Sequence, residues 1–256
     1  MTTLPDSFTS MPIAHRGYHD AGSGIFENTR AAFKAAIDAG YAIELDVQLS
    51  ADGHAMVFHD YEMSRLTDET GPIRIRTRDA LTQIGLKGSD ETIPTLPEIL
   101  SLIAGRVPVL IETKDQDGAM GPDIGPLEQS VANALNDYAG PVAVMSFNPH
   151  SIIRLAALAP DVPRGLVTCH FPAEHWPLLN EKTRSRLRAI PDYGRAAASF
   201  ISHRHDDLSN PRIADLRATG ARIICWTIRS PEAEAEARKV ADNITFEGYP
   251  APRVQS

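Results

Sequence analysis

The sequence predicts an α/β fold, a closed parallel barrel of eight strand and helix pairs known as the TIM or (β/α)8 barrel. Short apolar runs alternate with helical patterns along the chain, and strands separated by helices are joined by crossovers into a parallel sheet. The 256 residues hold close to eight such units, and α/β barrels of this length form one domain. We expect a single domain over residues 1–256, with a doubly wound open sheet as the architectural alternative.

Nine short segments have the composition and length of buried strands. They lie at residues 12–14, 42–47, 54–58, 107–112, 142–146, 164–167, 197–201, 223–226 and 244–246. Candidate helix starts between them share a side chain that can accept a hydrogen bond from the free N–H groups of the first turn. They are Thr29, Thr95, Asn148, Asn210 and Ser230, and the last three precede a proline, which is favoured at the first helical position.

Composition and charge exclude several classes of protein. The net charge of -8 at pH 7 argues against a nucleic-acid binder, because such proteins use basic patches to displace counterions from phosphates. Cys169 and Cys225 are far apart and outside any Cys-x-x-Cys motif, which indicates buried thiols rather than a disulfide or a metal pair. The chain lacks the pattern of a signal peptide and any long apolar stretch. We therefore expect a cytoplasmic protein without stable membrane insertion.

Two carboxylates on the second predicted strand form a candidate metal site. Side chains alternate across a strand, so Glu44 and Asp46 share one face while Ile43, Leu45 and Val47 share the other. Bringing two negative charges together costs free energy, which a shared proton or a cation offsets. An all-oxygen site suits Mg²⁺ or Ca²⁺ better than Zn²⁺, which prefers nitrogen and sulfur ligands.

Further reactive residues follow the predicted strands. His15 and Arg16 follow the first strand, His59 follows the third, and Glu112 closes the fourth. In a (β/α)8 barrel the carboxyl ends of the strands meet at one face, where functional groups gather. Two imidazoles can exchange protons and a guanidinium can bind a phosphate oxygen. The pattern therefore indicates metal-assisted cleavage of a phosphate ester.

A second pair of histidines has a different interpretation. His203 and His205 have the spacing of a ligand pair, but the segment around them is rich in charged residues. We interpret both as solvated loop residues.

The sequence resembles the glycerophosphodiester phosphodiesterase family over nearly its whole length, with the motifs in the family's order. They are HRG at 15–17, ENT at 27–29, ELD at 44–46, FHD at 58–60, IETK at 111–114, SFNP at 146–149, GL at 165–166 and WT at 226–227. The resemblance implies a phosphodiesterase TIM barrel with a small insertion after the second strand, at about residues 50–94.

The resemblance also implies roles for individual residues. The acid and base of the reaction are then His15 and His59, the metal ligands are Glu44, Asp46 and Glu112, and the phosphate is bound by Arg16 and Lys114. Trp226 is expected to form an apolar wall for the glycerol carbons. Glu27 is expected near the metal or orienting a histidine.

The activity implied is metal-dependent hydrolysis of glycerophosphodiesters to glycerol 3-phosphate and an alcohol, with one divalent cation, Mg²⁺ or Ca²⁺. One alternative is a lysophospholipase D or sphingomyelinase-like phosphodiesterase, which needs an apolar access route. Another is a noncatalytic barrel that binds metal or phosphate. The choice between Mg²⁺ and Ca²⁺, the alcohol of the natural substrate and the oligomeric state stay open.

Two departures from the family pattern bear on the alcohol pocket. Ile228 and Arg229 follow the Trp-Thr pair where family members often carry Asn, and residues 245–248 read Thr-Phe-Glu-Gly where Thr-Asp is expected. Arg229 therefore has two interpretations, a group that selects an anionic substrate or a partner of a surface acid.

Overall fold

Eight parallel strands close into a barrel, as predicted. The computed structural model describes residues 2–253. The strands are β1 (Ile13–Ala14), β2 (Ala42–Leu49), β3 (Ala55–Val57), β4 (Val109–Thr113), β5 (Val142–Ser146), β6 (Arg164–Thr168), β7 (Phe200–Arg204), β8 (Arg222–Ile228) and β9 (Asn243–Phe246). β1 pairs in parallel with both β2 and β9, which closes the circle, whereas β3 lies outside it and pairs antiparallel with β2. A closed circle excludes the doubly wound open sheet.

A helix connects each barrel strand to the next. The α-helices of the described residues are α1 (Ser7–Ser10), α2 (Arg30–Ala39), α3 (Arg78–Leu81), α4 (Leu96–Ile103), α5 (Pro126–Leu135), α6 (Pro149–Leu158), α7 (Glu181–Arg188), α8 (Pro211–Ala218) and α9 (Pro231–Ala237). Short 3-10 turns occur at Ala21–Ser23, Met63–Arg65, Ile73–Ile75 and His205–Asp207. Among the residues that the structure describes, no helix combines the length and apolar character needed to span a bilayer.

The predicted helix starts are confirmed. The side chains of Thr29, Thr95, Asn148, Asn210 and Ser230 each accept a hydrogen bond from a backbone N–H in the first turn of the helix that follows. These caps satisfy donors that the helix itself leaves unpaired. The local sequence therefore determines where these five helices begin.

The alternation predicted for β2 is also confirmed. Ile43, Leu45 and Val47 belong to the core between the barrel and its helices, so Glu44 and Asp46 face the barrel interior. The amino-terminal half of the interior is filled by a separate apolar cluster that includes α1. Its buried members are Leu4, Phe8, Ile13, Ala42, Leu110, Ala143, Met145, Val167, Phe200 and Ile224. The barrel interior is therefore apolar at the amino ends of the strands and polar at their carboxyl ends, where the carboxylates lie.

Residues 50–94 form the predicted insertion between β2 and α4. Its buried apolar side chains make a small core of their own, with Met56, Phe58, Met63, Ile73, Leu81, Leu86 and Ile93. After β3 the chain runs beside the barrel, and the N–H of Phe58 donates to the carbonyl of Asp46 at 3.0 Å. This backbone contact places His59 directly beside the carboxyl end of β2.

One predicted strand was misplaced. The segment 197–201 was expected to be a strand, but β7 occupies Phe200–Arg204. The preceding residues form a turn, in which Ala197 has a positive φ of 47° and donates its N–H to the carbonyl of Gly194 at 3.0 Å. The shift moves His203 into the strand, where it is fully buried, so its interpretation as a solvated loop residue was wrong.

Both cysteines are free and buried, as expected. Burial raises the pKa of Cys169 to about 11 and that of Cys225 to about 12, so both thiols stay protonated near neutral pH.

Candidate active site at the carboxyl end of the barrel

Three carboxylates meet inside the carboxyl end of the barrel. Glu44 and Asp46 come from β2, and Glu112 comes from the adjacent strand β4, where it pairs in register with Asp46. One carboxylate oxygen from each residue lies within 4.8 Å of the other two, and all three side chains are buried. Three converging oxygens of this kind are suitable ligands for Mg²⁺ or Ca²⁺.

Glu44 carries the clearest sign that a cation fits this cluster. Its Oε2 accepts a hydrogen bond from the N–H of Arg16 at 2.9 Å, but its buried Oε1 has no partner among the described residues. Burial, together with repulsion from Asp46 and Glu112, raises the pKa of Glu44 well above its ordinary value. A shared cation relieves that repulsion and satisfies the unpaired oxygen.

Two cationic side chains flank the carboxylates. Lys114 Nζ lies 2.7 Å from Asp46 Oδ1 and 2.6 Å from Glu112 Oε1, and Arg16 Nε lies 3.3 Å from Asp46 Oδ2. Burial opposes ionisation of Asp46, but Lys114, His59 and Arg16 outweigh it and hold the pKa of that carboxyl well below its ordinary range. Burial disfavours the charged forms of Lys114 and Arg16, but the neighbouring carboxylates outweigh it and raise the pKa of both side chains, which therefore stay charged at the rim and can face an anion.

The turn after β1 fixes Arg16 and its backbone N–H. Arg16 and Gly17 both have positive φ values, 56° and 81°. A Cβ atom on Gly17 would lie 2.8 Å from the Cβ of Ala32, so only glycine fits this turn. Non-glycine residues with positive φ concentrate at functional sites, where the surrounding contacts hold them. The contact that holds Arg16 in this conformation is the hydrogen bond from its backbone N–H to Glu44.

His15 is held by a carboxylate that the sequence analysis did not assign. Its Nδ1 lies 2.5 Å from Oε2 of Glu247, which follows β9. A carboxylate on Nδ1 fixes the ring proton there and leaves Nε2 free for chemistry. Burial lowers the pKa of His15, partly offset by the hydrogen bond to Glu247, so the neutral imidazole is favoured.

Arg229 completes this arrangement. Its Nη2 lies 2.7 Å from Glu247 Oε1, on the opposite carboxylate oxygen from His15. Of the two interpretations given above, the structure favours pairing with an acid. Burial opposes ionisation of Glu247, but the hydrogen bond from His15, the nearby His19 imidazole and the charge of Arg229 lower the pKa of its carboxyl.

His59 is held in the same way by its neighbour. Its Nδ1 lies 2.6 Å from Asp60 Oδ1, and Asp60 Oδ2 accepts from Nε of Arg65 at 2.5 Å. Arg65 also donates to Glu27 at 2.7 and 2.9 Å. His59 is thus tied to the insertion through Arg65.

The Glu-Asn-Thr segment at 27–29 supports the site residue by residue. Glu27 accepts from Arg16 at 2.7 Å, so it orients an arginine rather than a histidine. Asn28 forms two hydrogen bonds with Asp46. The side-chain amide of Asn28 donates to Asp46 Oδ2 at 2.9 Å, and Asn28 Oδ1 accepts from the backbone N–H of Asp46 at 3.2 Å. Thr29 caps α2. The segment therefore fixes the orientation of Arg16 and Asp46.

These side chains surround a cavity of about 170 Å³. It is lined by His15, Arg16, Glu44, His59, Glu112, Lys114, Met145, Phe147, Val167, Ser202, Trp226, Thr227, Arg229 and Thr245. Trp226 forms part of its wall and donates its indole N–H to the carbonyl of Ser202 at 2.9 Å. A larger cleft of about 970 Å³ lies between α4 and α5, but its lining includes none of the carboxylates, histidines or cations described above.

The predicted site residues therefore lie at one end of the barrel. His15, His59, Arg16, Lys114, Trp226, Glu44 and Glu112 line the cavity, Asp46 lies directly behind its wall, and Glu27 lies one contact further out. The prediction missed Glu247, although the departure at 245–248 marked that segment as unusual. It also missed Asn28 as the partner of Asp46.

A barrel with this rim defines a TIM-barrel enzyme of the phosphodiesterase class. The model of the glycerophosphoryl diester phosphodiesterase family matches residues 15–243. The chain belongs to the glycerophosphodiester phosphodiesterase family.

Individual relatives agree with this assignment. A glycerophosphodiester phosphodiesterase of Caldanaerobacter subterraneus subsp. tengcongensis is 36% identical over 177 residues, which cover 65% of this chain and 70% of the relative. The protein YhdW of Bacillus subtilis is 28% identical over 247 residues, covering 93% and 94%.

Solved structures show the same fold. A phosphodiesterase from Oleispira antarctica, in complex with the product sn-glycerol-3-phosphate, has a TM-score of 0.73 and 25% identity, covering 95% of this chain and 96% of that one. The glycerophosphodiester phosphodiesterase from Thermotoga maritima has a TM-score of 0.69 and 22% identity, covering 92% and 94%.

Proposed function

We propose that this chain hydrolyses glycerophosphodiesters to glycerol 3-phosphate and an alcohol, with His15 and His59 as base and acid and one divalent cation as cofactor. One observation carries the proposal. Two histidines, each with a carboxylate on Nδ1, line the same small cavity as the acidic cluster. Glycerol 3-phosphate as product is supported by the related Oleispira antarctica phosphodiesterase, which is described with that product bound.

The cavity can accept an anion although the protein carries a net charge of -8. Arg16 and Lys114 both reach its lining, and both are held by buried carboxylates that keep them in place. A guanidinium and an ammonium at fixed positions can bind separate phosphoryl oxygens. They also stabilise the negative charge that grows on those oxygens in the transition state.

Glu44, Asp46 and Glu112 are the residues that would hold the cation, Mg²⁺ or Ca²⁺. The unpaired Oε1 of Glu44 and the raised pKa of that carboxyl support this assignment. When bound, a divalent cation polarises a phosphoryl oxygen and neutralises part of its charge.

His15 suits the part of general base. Burial keeps its pKa low, so its Nε2 is free to take a proton from the attacking hydroxyl. In the route implied by the family resemblance, that hydroxyl belongs to the glycerol itself and attacks the phosphorus to form a cyclic phosphate. His59, held by Asp60, gives a proton to the departing alcohol. Water then opens the ring with the two histidines exchanging parts.

The test is the release of glycerol 3-phosphate by His15→Ala and His59→Ala, assayed on glycerophosphocholine with Mg²⁺ or Ca²⁺ present. Each substitution should lower kcat by about a hundredfold to ten-thousandfold, the usual span for a general acid or base. His175→Ala is the matched control, because its side chain is 60% exposed and lies outside the cavity. Near-normal turnover by either site variant would refute the assignment.

A cytoplasmic location is part of the proposal. Its support is the pair of free, buried thiols, which are usual in a reducing compartment.

A further inference from the structure

An apolar groove extends from the catalytic cavity to the protein surface. It has a volume of about 540 Å³ and shares His59, Glu112, Lys114 and Phe147 with the cavity. Because the two spaces share these walls, a group in the groove can be covalently attached to a phosphodiester in the cavity. Its volume lies within the range of sites that bury drug-sized ligands, about 300–1,000 Å³.

Aromatic rings form one continuous wall from the cavity into the groove. Phe147 contacts Trp226 on the cavity side, with ring centroids 5.6 Å apart, and Trp176 on the groove side at 5.0 Å. Met120 and Tyr61 extend the apolar lining outward. The rings pack against one another instead of enclosing an empty cage, so the wall is suited to hydrocarbon more than to a quaternary ammonium group.

Both cations of the groove lining are already paired, and its remaining carboxylates, Glu62 and Asp115, accept hydrogen bonds from backbone N–H groups. Arg65 binds Asp60 and Glu27, and Lys114 binds Asp46 and Glu112. A charged ligand would have to compete with these pairs, whereas a neutral chain would not. Tyr61 lines the groove and is 52% exposed, so its ring is accessible to a ligand.

The cavity itself is more polar. Ser202 and Thr245 line it, both are almost completely buried, and neither hydroxyl has a hydrogen-bond partner among the described residues. Unpaired buried hydroxyls are costly and are satisfied when a ligand supplies donors and acceptors. A glycerol unit has such groups, so the polyol side of the diester fits the cavity and the other alcohol is directed to the groove.

We propose that the groove binds a hydrocarbon chain on the alcohol that leaves the phosphodiester. The enzyme's preferred substrates are then glycerophosphodiesters of long-chain alcohols rather than of choline or ethanolamine. This inference rests on the proposed function, and it supplies the apolar route that a lipid-directed phosphodiesterase requires.

The test compares glycerophosphodiesters whose second alcohol is ethanol, butanol or octanol, each below its critical micelle concentration and with Mg²⁺ present. Each methylene removed from water favours binding, so kcat/KM should rise by about tenfold or more from the ethyl to the octyl diester. In Trp176→Ala and Tyr61→Ser this ratio should fall toward one. Ile75→Ser is the matched control, since Ile75 is a 64% exposed apolar residue of the same insertion outside the groove lining, and it should keep the wild-type ratio.

Three results would overturn the inference. One is an octyl diester hydrolysed no better than the ethyl diester by the wild-type protein. Another is a chain-length effect that is seen with an acyl chain on the glycerol but not with a chain on the leaving alcohol. The groove would then bind the glycerol side of the diester. The third is a preference for choline, without a chain-length effect, that Trp176→Ala removes. In each case hydrolysis of glycerophosphocholine still supports the proposed function, whereas failure on every diester refutes the proposed function itself.

Discussion

Glu247 and His15 lie near opposite ends of the sequence, and they meet at Nδ1 of the His15 imidazole. Glu247 is separated from His15 by 232 residues, and its carboxylate meets Nδ1 of the imidazole on one side and Arg229 on the other. An acid on Nδ1 selects the tautomer and orients the ring, as second partners of reactive histidines commonly do. Asp60 does the same for His59 from the adjacent position in the chain.

Substitution of Glu247 by Gln tests this positioning. Glu247 raises the pKa of His15 against the effect of burial, so its removal should lower that pKa further. If His15 is the base, the acid limb of the kcat/KM profile should move to lower pH, because the imidazole then loses its proton at lower pH. We expect kcat to fall by about tenfold or more, within the span of general base catalysis.

The matched control for this prediction is Glu236→Gln. Glu236 is an exposed residue of α9 and pairs with Lys239, which follows that helix. Its substitution should leave both kcat and the pH profile unchanged. An acid limb at the wild-type pH in Glu247→Gln, with kcat undiminished, would show that Glu247 has only a structural part.

At the scale of elements, the features that the sequence predicted correctly are those determined by contacts between residues close together in the chain. The five helix caps and the alternation in β2 depend on residues within a few positions of one another, and the structure confirms them. The start of β7 depends on a turn at residues 194–198, and no local pattern distinguished the alanines of that turn from a strand. Glu247 and Asn28 were missed for a related reason, since their partners are distant in sequence.

His203 illustrates what the shift of β7 means physically. Its Nδ1 lies 2.8 Å from Thr168 Oγ1, and its Nε2 lies 3.1 Å from Oδ2 of Asp207. A neutral imidazole can accept a hydrogen bond from the Thr168 hydroxyl at Nδ1 and donate one from Nε2 to the Asp207 carboxylate. His203 therefore joins β6, β7 and the turn after β7 as a buried structural residue.

The free energy of unfolding should depend on pH through His203. Burial lowers its pKa below the ordinary value of 6.5, although Asp207 opposes the shift. Below pH 6.5 the unfolded chain therefore binds a proton that the folded protein does not, and stability falls as the pH falls, by up to about 1.4 kcal/mol per pH unit for one group. Urea unfolding at pH 7.5, 6.5 and 5.5 measures this slope.

His203→Gln should reduce that slope, because glutamine does not titrate. The variant should also be less stable at pH 7.5, by about 1–3 kcal/mol, since buried partners lose a hydrogen bond. His175→Gln, at an exposed position, should keep the wild-type slope. A slope in His203→Gln equal to that of the wild type would contradict this account.

At the scale of the whole molecule, closure of the barrel is what assembles the site. Glu112 approaches Asp46 because β4 is the neighbour of β2, and His15 approaches Glu247 because β1 pairs with both β2 and β9. The closed circle thus joins residues from both ends of the chain at one rim. The buried acids of this rim repel one another, and a cation bound among them would offset that repulsion.

Binding of a divalent cation should therefore stabilise the folded protein. A ligand that binds only the folded state at about a hundred times its Kd adds about 2.7 kcal/mol. For a chain of this length that corresponds to a rise in Tm of roughly 5–10 °C. Thermal unfolding in EDTA, and then with added Mg²⁺ or Ca²⁺, measures the shift and shows which ion gives it at lower concentration.

Glu44→Gln tests whether the acidic cluster is the source of this stabilisation. The substitution replaces a buried acid whose ionisation is opposed by burial and by repulsion from Asp46 and Glu112, so the protein in EDTA should be at least as stable as the wild type. The rise in Tm on adding the cation should shrink or disappear. Glu174→Gln, whose side chain is 78% exposed, should respond to the cation like the wild type. Equal shifts in Glu44→Gln and the wild type would place the bound ion elsewhere, because loss of one of three ligands must weaken binding at this cluster.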